Sequence, residues 1–363
     1  MSTELEREAQ LREQDLAEPL PSVARPVHEL PNSTPWAVLG ATAVLVGGGL
    51  LLLGHGVALA LVAVAVVNAV ATYLVSRVVE GPRKATDRLV TVLVATAFLI
   101  AMAPLVSVVV TVLTNGLARF DAQFFTYSMR GVIGEGGGGY HAIVGTVLIT
   151  ALAAVMSIPV GLLTAVYLVE YGQGRLSRAI TFFVDVMTGI PSIVAGLFAF
   201  ALFALVLGPG VRMGFAGAVA LSVLMIPVVV RSTEEMLKIV PNELREAAYA
   251  LGVPKWRTIL KVVVPTSVAG IASGITLAIA RVIGETAPLL IAVGITTGVN
   301  LNPFDSRMAT LPVFAYYSYV APGVPREPFL DRAWTAALVL IVLVMVLNLV
   351  ARLIARAFAP KTR

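Results

Sequence analysis

The chain has 363 residues, of which 58% are hydrophobic and only 13% are charged, and its mean hydropathy is +0.90. An ordinary soluble domain is about 25% charged, so a soluble core of this size could not hide so much apolar surface. Cysteine is absent and the three histidines have no second ligand at metal-binding spacing, which excludes disulfide scaffolds, thiol catalysis and the usual zinc sites.

The chain begins with a polar segment, residues 1–35. It holds seven acidic residues, three arginines and five prolines. Because it has too little apolar surface to form a core, we expect a disordered tail on the cytoplasmic side. It lacks a basic stretch leading into a short apolar segment and a small-residue cleavage site, so it is not predicted to be a signal peptide.

Eight long apolar runs follow the tail. A helix that crosses the ~30 Å hydrocarbon layer needs about 20 mostly apolar residues. The runs are continuous and rich in Ala, Leu and Val, which favours helices over the alternating strands of a barrel. We therefore expect an all-α, polytopic membrane helix bundle with about eight transmembrane helices. The runs lie at residues 36–54, 57–79, 89–114, 142–168, 179–207, 215–230, 266–298 and 333–356.

The distribution of Lys and Arg predicts the orientation of this bundle. With the N-terminus inside, the cytoplasmic connections and the C-terminal tail carry 16 Lys and Arg, whereas the connections on the other side carry six. This excess predicts that both termini are cytoplasmic. The net charge of +5 is then a sign of membrane topology, and nucleic acid is not an expected partner.

The cytoplasmic connection with the most internal order is loop 231–265. Pro241-Asn242 opens a short helix and Gly252 closes it, at the position that favours a left-handed residue. One face of this helix is an apolar stripe with helical spacing, formed by Leu244, Ala247, Ala248 and Leu251. Glu243, Arg245 and Glu246 occupy the other side.

Three interpretations of this helix compete. It could lie on lipid headgroups as an amphipathic helix, or dock into a groove on a cytoplasmic partner. A DNA-binding helix–turn–helix is disfavoured, because a module pinned between two membrane spans could hardly reach a major groove.

Loop 231–265 resembles the EAA loop of bacterial ABC-importer permeases, in which a short coupling helix binds the nucleotide-binding subunit. The resemblance rests on Glu246-Ala247-Ala248, Gly252 and Pro265, with Val262 and Val264 departing mildly from the usual residues. Further segments resemble the phosphate-importer permeases of the PstA type. These are Glu243-Leu244-Arg245-Glu246-Ala247-Ala248-Tyr249-Ala250-Leu251-Gly252, Ala280-Arg281-Val282-Ile283-Gly284-Glu285-Thr286-Ala287-Pro288-Leu289-Leu290 and Gly189-Ile190-Pro191-Ser192-Ile193-Val194.

The resemblance implies a domain plan and a set of partners. Residues 88–363 would form a six-helix permease core, and residues 36–87 an additional hairpin. The expected partners are a second related permease, a dimer of ATPase subunits, an extracytoplasmic phosphate-binding protein and the bilayer of a bacterial cell membrane. The implied ATPase-binding residues are Leu244, Glu246, Ala247, Ala248, Leu251 and Gly252. No Walker motif occurs in the chain, so we expect no cofactor on it, and ATP and Mg²⁺ on the partner ATPase.

Charges inside the apolar runs are candidates for a transport path, because an intramembrane charge must be paired or face water. Arg281 and Glu285 are four residues apart, so we expect them on one helical face. Their pair either fixes helix packing or stabilises a crossing anion, and the resemblance favours the second role. Asp185 is expected near the interface, solvated or paired with Arg178. A broken helix is expected at residues 189–192 because of Pro191.

Two outer segments and two rival functions complete the expectations. The glycine-rich residues 134–139 predict a flexible loop without a nucleotide site, and residues 299–332 predict either a surface for a binding protein or a solvated linker. No enzyme site is visible. Phosphate is preferred to another oxyanion only by resemblance, and the rival classes are an ion-coupled secondary transporter and a membrane scaffold.

Overall fold

The computed structural model of this chain describes residues 30–31 and 33–358. Most of the expected tail, residues 1–35, lies outside these residues, as does the chain beyond residue 358. Every regular element in the described part is a helix. The expected all-α class is therefore confirmed.

The chain forms two compact units, residues 1–108 and 109–363. The first contains α1 (Thr34–Leu52), α2 (Val57–Val79) and the beginning of α3 (Pro82–Gly116). The boundary lies inside α3, further along the chain than the expected start of the permease core at residue 88. Only 6% of the most apolar window of α3 is buried, as is usual for a helix whose side chains face lipid or a partner.

The second unit contains the remaining helices. Two of its longer helices contain a π-helical turn. In α5 it is the last turn, and in α10 it lies near the start. In chain order the helices are α4 (Ala122–Thr126), α5 (Tyr140–Tyr171), α6 (Arg175–Thr188), α7 (Ser192–Leu207), α8 (Gly214–Ile239), α9 (Asn242–Ala250), α10 (Lys255–Ile283), α11 (Ala287–Ala292), α12 (Leu311–Val320) and α13 (Glu327–Phe358).

The number of membrane spans agrees with the expectation of about eight. Seven helices of the described part are long and apolar enough to cross a membrane, and the bent pair α6–α7 makes eight if it counts as one span. Two of the apolar runs differ in extent from the helices that they form. The run 215–230 is part of the longer helix α8, and the run 266–298, which is long enough for a broken span, contains a helix end at Ile283.

Helix α8 is at the centre of the second unit, with 61% of its span buried. It packs against α5 through small residues that let the two backbones approach. At Gly161 of α5, an added Cβ atom would lie 2.7 Å from the side chain of Val229 on α8. On the α10 side, Gly270 and Gly274 contact Met236 and Ser232 of α8. Small residues at helix contacts are the usual means of close packing within membranes.

The two outer segments are more ordered than a linker or a free loop. Within residues 299–332, five of the ten residues of helix α12 are buried, and the N–H of Leu311 donates to Oγ1 of Thr146 at 2.8 Å. The middle of this segment is therefore packed against the second unit and is not a solvated linker. Gly134 and Gly136 accept hydrogen bonds from Nη1 of the buried Arg332, at 2.8 and 2.9 Å. This part of the glycine-rich loop is thus fixed by an arginine from α13.

Candidate functional site

Two interrupted helices of the second unit pack against each other. The axes of α6 and α7 meet at 107° across Gly189-Ile190-Pro191, which confirms the expected break. Pro191 has no N–H to donate and begins α7 at its N-cap position. Helix α10 ends before Gly284 and α11 begins after Thr286. At Gly196 of α7 an added Cβ atom would lie 2.5 Å from the Cα of Pro288 on α11, so the two broken elements are in direct contact.

A cavity of about 170 Å³ lies at these two breaks, and we call it the break cavity. A water molecule occupies roughly 30 Å³, so the space can hold several waters or a small ion. Its lining combines a guanidinium, a carboxylate and two hydroxyl groups with apolar side chains. The lining residues are Met187, Thr188, Ile190, Ser192, Leu224, Val228, Arg281 and Glu285.

Arg281 and Glu285 both line the break cavity, but they are not held together as expected. Helix α10 ends at Ile283, so Glu285 follows the helix end and does not continue the helical face of Arg281. No ion pair joins these two side chains in the described part of the chain. Arg281 is exposed and Glu285 is half-buried. The expected helical pair is therefore wrong, and a role for both residues in a path remains a prediction.

Asp185 has a different partner from the one expected. It forms an ion pair with Arg231 of α8, whereas Nε of Arg178 donates to the carbonyl of Gly174 at 3.4 Å. Arg231 also binds Glu234 at 2.7 Å. The alternative in which Asp185 pairs with Arg178 is wrong because the nearest cation comes from another helix.

The end of helix α9 has the geometry that the sequence predicts. Gly252 has a φ of 73°, a left-handed conformation that glycine adopts without steric cost. Its N–H donates to the carbonyl of Tyr249 at 2.9 Å, and the N–H of Val253 donates to that of Ala248 at 3.1 Å. These two bonds make a Schellman motif, which satisfies carbonyls at the helix end. The same glycine separates α9 from α10, which begins after Pro254.

The apolar stripe of α9 is only partly available to a partner. Leu244, Ala247 and Leu251 are exposed, with Leu251 83% exposed. Ala248 is buried, with 8% exposure, because this residue faces the rest of the protein. Glu246 is exposed on the same short helix. A partner surface can therefore contact Leu244, Ala247 and Leu251, whereas the side chain of Ala248 is covered by residues of this chain. The binding of an ATPase by this set of residues stays a prediction.

Arg245 fastens α9 to the helix bundle, although the sequence pattern placed it on the polar face. Its Nη2 atom lies 2.9 Å from Oε1 of Glu170, whose side chain is 4% exposed. The guanidinium also donates to the carbonyl oxygens of Leu237 and Val240 at 3.0 and 2.7 Å and to Oδ1 of Asn242 at 3.2 Å. Glu170 belongs to the π-helical last turn of α5. One guanidinium thus joins α9 to the ends of α5 and α8.

Sequence reasoning missed both Glu170 and Arg231. The available signal was the cost of burying a lone charge, since each of these residues ends or interrupts an apolar run. That signal predicts a partner without naming it. As for metals, residues 30–31 and 33–358 contain no group of three or more His, Cys, Asp or Glu that could hold an ion.

The relation to known proteins follows from residues 157–363, which include loop 231–265 and both broken helices. They match the family model described as "Binding-protein-dependent transport system inner membrane component". The chain belongs to this family. The part of the second unit that carries the broken helices thus lies within the match to this family, and the chain is a multi-pass membrane protein.

Curated relatives are similar to this chain over about three quarters of its length. The chain is 50% identical over 275 residues to "Phosphate transport system permease protein PstA 1" of Mycobacterium tuberculosis, an alignment that covers 75% of this chain and 89% of the relative. It is 36% identical over 280 residues to "Phosphate transport system permease protein PstA" of Yersinia pestis, with 77% of this chain and 92% of the relative covered.

A solved structure supports the fold alone. It is a bacterial ABC transporter involved in the import of the acidic polysaccharide alginate, with a TM-score of 0.52 and 13% identity. The similarity covers 76% of this chain and 97% of the solved chain. The helix arrangement of this chain is therefore similar to that of a chain of this ABC transporter.

Proposed function

We propose that this chain is the membrane permease subunit of an ATP-driven importer of inorganic phosphate. The observation that carries the proposal is the 50% identity to a phosphate transport system permease over 89% of that relative's length. The permease forms half of a translocation path and is coupled to a separate ATPase through helix α9.

The assembly that this function requires contains several other chains. A second related permease completes the path, a dimer of ATPase subunits binds ATP and Mg²⁺, and an extracytoplasmic phosphate-binding protein delivers the substrate. Both termini and loop 231–265 lie on the cytoplasmic side. This orientation presents the exposed Leu244 and Leu251 of α9 to a groove on the ATPase.

An outside source of work is needed because of the charge of the substrate. Moving one negative charge into a negative-inside cell costs about 2.3 kcal/mol per 100 mV. Phosphate carries one to two such charges at neutral pH, so import against a gradient needs a further energy input. Hydrolysis of ATP by the partner subunits supplies that input.

The contacts of α9 favour a mechanism in which it moves together with its neighbours. Closure of the ATPase dimer displaces α9, and the Arg245–Glu170 ion pair transmits the movement to the end of α5. The carbonyl bonds of Arg245 do the same for the end of α8, a helix whose Leu224 and Val228 line the break cavity further along. The spans then reorient around the path by alternating access.

Within the break cavity, Arg281 is the residue suited to an oxyanion. Its planar guanidinium can donate two parallel hydrogen bonds to phosphate oxygens. Thr188 and Ser192 add hydroxyl groups to the same cavity. Glu285 also lines it and reduces its net positive charge, so that a bound anion is held weakly enough to leave.

Transport by the purified assembly tests this proposal. The permease, purified with its associated chains and placed in proteoliposomes with the phosphate-binding protein, should take up labelled phosphate only when ATP reaches the ATPase. Co-purification of a P-loop ATPase and a second permease is part of the expected result. Labelled sulfate is the control substrate, and a preference for sulfate would indicate another oxyanion. Uptake that survives ATP depletion but is abolished by an uncoupler would contradict the proposal and indicate ion-coupled transport.

A further inference from the structure

One ion pair lies next to the break cavity but outside its lining. Asp185 of α6 is three residues before Thr188, and Arg231 of α8 is three residues after Val228. Residues three apart on a helix share a face. On both helices, therefore, the charged residue lies one turn away from a residue that lines the cavity.

The ion pair lies between the cavity and the end of the bundle that carries α9. The Glu170–Arg245 contact shows that the connections after α5 and after α8 meet at this end. Helix α6 begins near this end, and the ion pair places Asp185 beside Arg231. Helix α8 finishes there, so Arg231 is closer to it than Val228 is. An anion that leaves the break cavity towards α9 passes this pair.

The two carboxylates that bind Arg231 differ in exposure. The side chain of Glu234 is 10% exposed, it lies on the same helix as Arg231, and it also binds Lys238 at 2.7 Å. The side chain of Asp185 is 58% exposed and comes from another helix. An exposed pair of this kind contributes little to stability. Glu234 is thus the fixed partner of Arg231, and Asp185 is the partner that can leave.

We propose that Arg231 is a second anion-binding residue on the route of the substrate, and that Asp185 occupies it between transport events. This inference rests on the proposed function. A carboxylate and a phosphate both accept paired hydrogen bonds from a guanidinium, so the side chain of Asp185 takes the position of the substrate. Release of phosphate requires that Asp185 return to Arg231 and displace the anion. Asp185 therefore determines how tightly the inner side of the permease holds phosphate.

Inhibition of uptake by phosphate inside the vesicle tests this role. ATP-driven uptake is measured in proteoliposomes preloaded with increasing phosphate, and the internal concentration that halves the rate is compared between variants. Asp185→Asn should lower this concentration about tenfold, because its amide no longer competes for Arg231. Asp185→Glu should restore most of the original value. Glu235→Gln, which removes an exposed acid on α8, is the matched control and should leave the value unchanged.

The reverse change supplies the second arm of the experiment. Arg231→Gln should raise the half-inhibiting internal concentration about tenfold, and the double variant with Asp185→Asn should behave like Arg231→Gln alone. If Asp185→Asn fails to assemble, Arg231→Lys keeps the charge without the planar fork and should raise the value several-fold.

Several results would overturn the inference. One is an Asp185→Asn permease that loses thermal stability while its inhibition by internal phosphate stays unchanged, since the pair would then be structural. Another is a double variant that keeps the full effect of Asp185→Asn. A parent complex without ATP-driven phosphate uptake would instead overturn the proposed function itself, and this inference with it.

Discussion

Two arginines of this permease, Arg245 and Arg281, are held in opposite ways. The side chain of Arg245 is 13% exposed. It donates to a carboxylate at the end of α5 and to backbone carbonyls at the end of α8. Arg281 is exposed at the break cavity, and in the described residues no ion pair engages it. An arginine whose donors are all occupied fixes geometry, whereas one with open donors can bind an anion. The difference separates the part that transmits movement from the part that contacts substrate.

The largest expected effect is at Arg281. Removing a charged hydrogen-bond donor costs roughly 1.5–3 kcal/mol, and each 1.4 kcal/mol is about tenfold. Arg281→Ala should therefore reduce phosphate uptake by about 10- to 100-fold, whereas assembly with the ATPase stays intact. Initial rates of ATP-dependent uptake in proteoliposomes give the measurement.

Arg178→Ala is the matched control, since Arg178 is also an exposed arginine and has only one long hydrogen bond, to Gly174. It should keep the parental rate. Normal uptake by Arg281→Ala would show that Arg281 has no role in the path. The difference between Arg245 and Arg281 would then not separate transmission of movement from substrate contact.

The next effect is at Arg245, where the expected loss is one of stability and coupling. Arg245→Ala leaves the buried carboxylate of Glu170 without its partner, which costs about 3–5 kcal/mol when a buried pair is broken. The thermal midpoint of the purified permease should fall, and the amount of phosphate transported per ATP hydrolysed should fall with it. The double variant Glu170→Gln/Arg245→Ala removes the orphaned charge and should recover part of the midpoint but not the coupling.

A different outcome would break the comparison. If Arg245→Ala lowers the midpoint but leaves the ratio of transport to hydrolysis unchanged, this anchor stabilises the fold without transmitting movement.

These two arginines also show how far the sequence could be read. The helix end at Gly252 and the break at Pro191 were predictable, because glycine and proline act on the backbone within a few residues. The clustering of Arg281 and Glu285 at one cavity follows from their proximity in the chain. Their expected pairing failed because the α10 helix stops at Ile283, a boundary that the continuous apolar run conceals.

The missed contacts are those between distant helices. Glu170 and Arg245 are 75 residues apart, and Asp185 and Arg231 are 46 residues apart. Periodicity within one helix assigns a residue to a face but does not identify the residue opposite it. The spacing therefore predicts that Arg245 lies opposite the apolar stripe, but it does not predict that the side chain turns back onto the bundle.

A smaller effect is expected at Gly252, which tests whether the shape of α9 matters beyond its anchor. A residue with a Cβ atom in a left-handed conformation costs about 1–2 kcal/mol, and the space around Gly252 is otherwise open. Through this strain alone, Gly252→Ala should lower the amount of phosphate transported per ATP hydrolysed (the coupling ratio) several-fold. Gly252→Asn should lower it less, because Asn tolerates this conformation. Gly56→Ala is the control, at a glycine with a φ of −67° and open surroundings, and it should leave the coupling ratio unchanged.

If Gly252→Ala and Gly56→Ala have the same coupling ratio, the left-handed turn after α9 is unimportant for transmission. The role of the anchor would then rest on Arg245 alone.

The smallest effect on transport is expected at Glu80, a hydrogen-bonded and ion-paired carboxylate in the other compact unit. Its carboxylate binds Arg88 at 2.6 Å and accepts hydrogen bonds from Ser76 and from the N–H of Leu30. The hydrogen bond from Arg88 is the main cause that lowers the pKa of Glu80 from 4.5 to about 2, and burial opposes this shift. The carboxylate is therefore ionised when folded, at pH values where an unfolded chain would already take up a proton.

The sign of the pH dependence follows from this lowered pKa. The stabilisation from Glu80 is fully present above pH 4.5 and is lost as the pH falls through 4.5 towards 2. Exchange of the Leu30 amide hydrogen, corrected for its intrinsic rate, should show protection that falls over this range. At pH 7, Glu80→Gln should reduce the same protection several-fold, whereas Asp87→Asn, at an exposed acid nearby, should not.

Uptake of phosphate at pH 7 should stay within about twofold of the parent in Glu80→Gln, since Arg88, Ser76 and Leu30, the partners of this carboxylate, belong to its own compact unit. A large loss of uptake in this variant, with protection at Leu30 unchanged, would contradict this assignment of charges to anchoring and transport. Charged residues with all partners present would then not be limited to anchoring the fold, and transport would not be limited to residues such as Arg281, which no ion pair engages in the described part of the chain. The comparison between Arg245 and Arg281 would then describe two residues rather than a rule for the molecule.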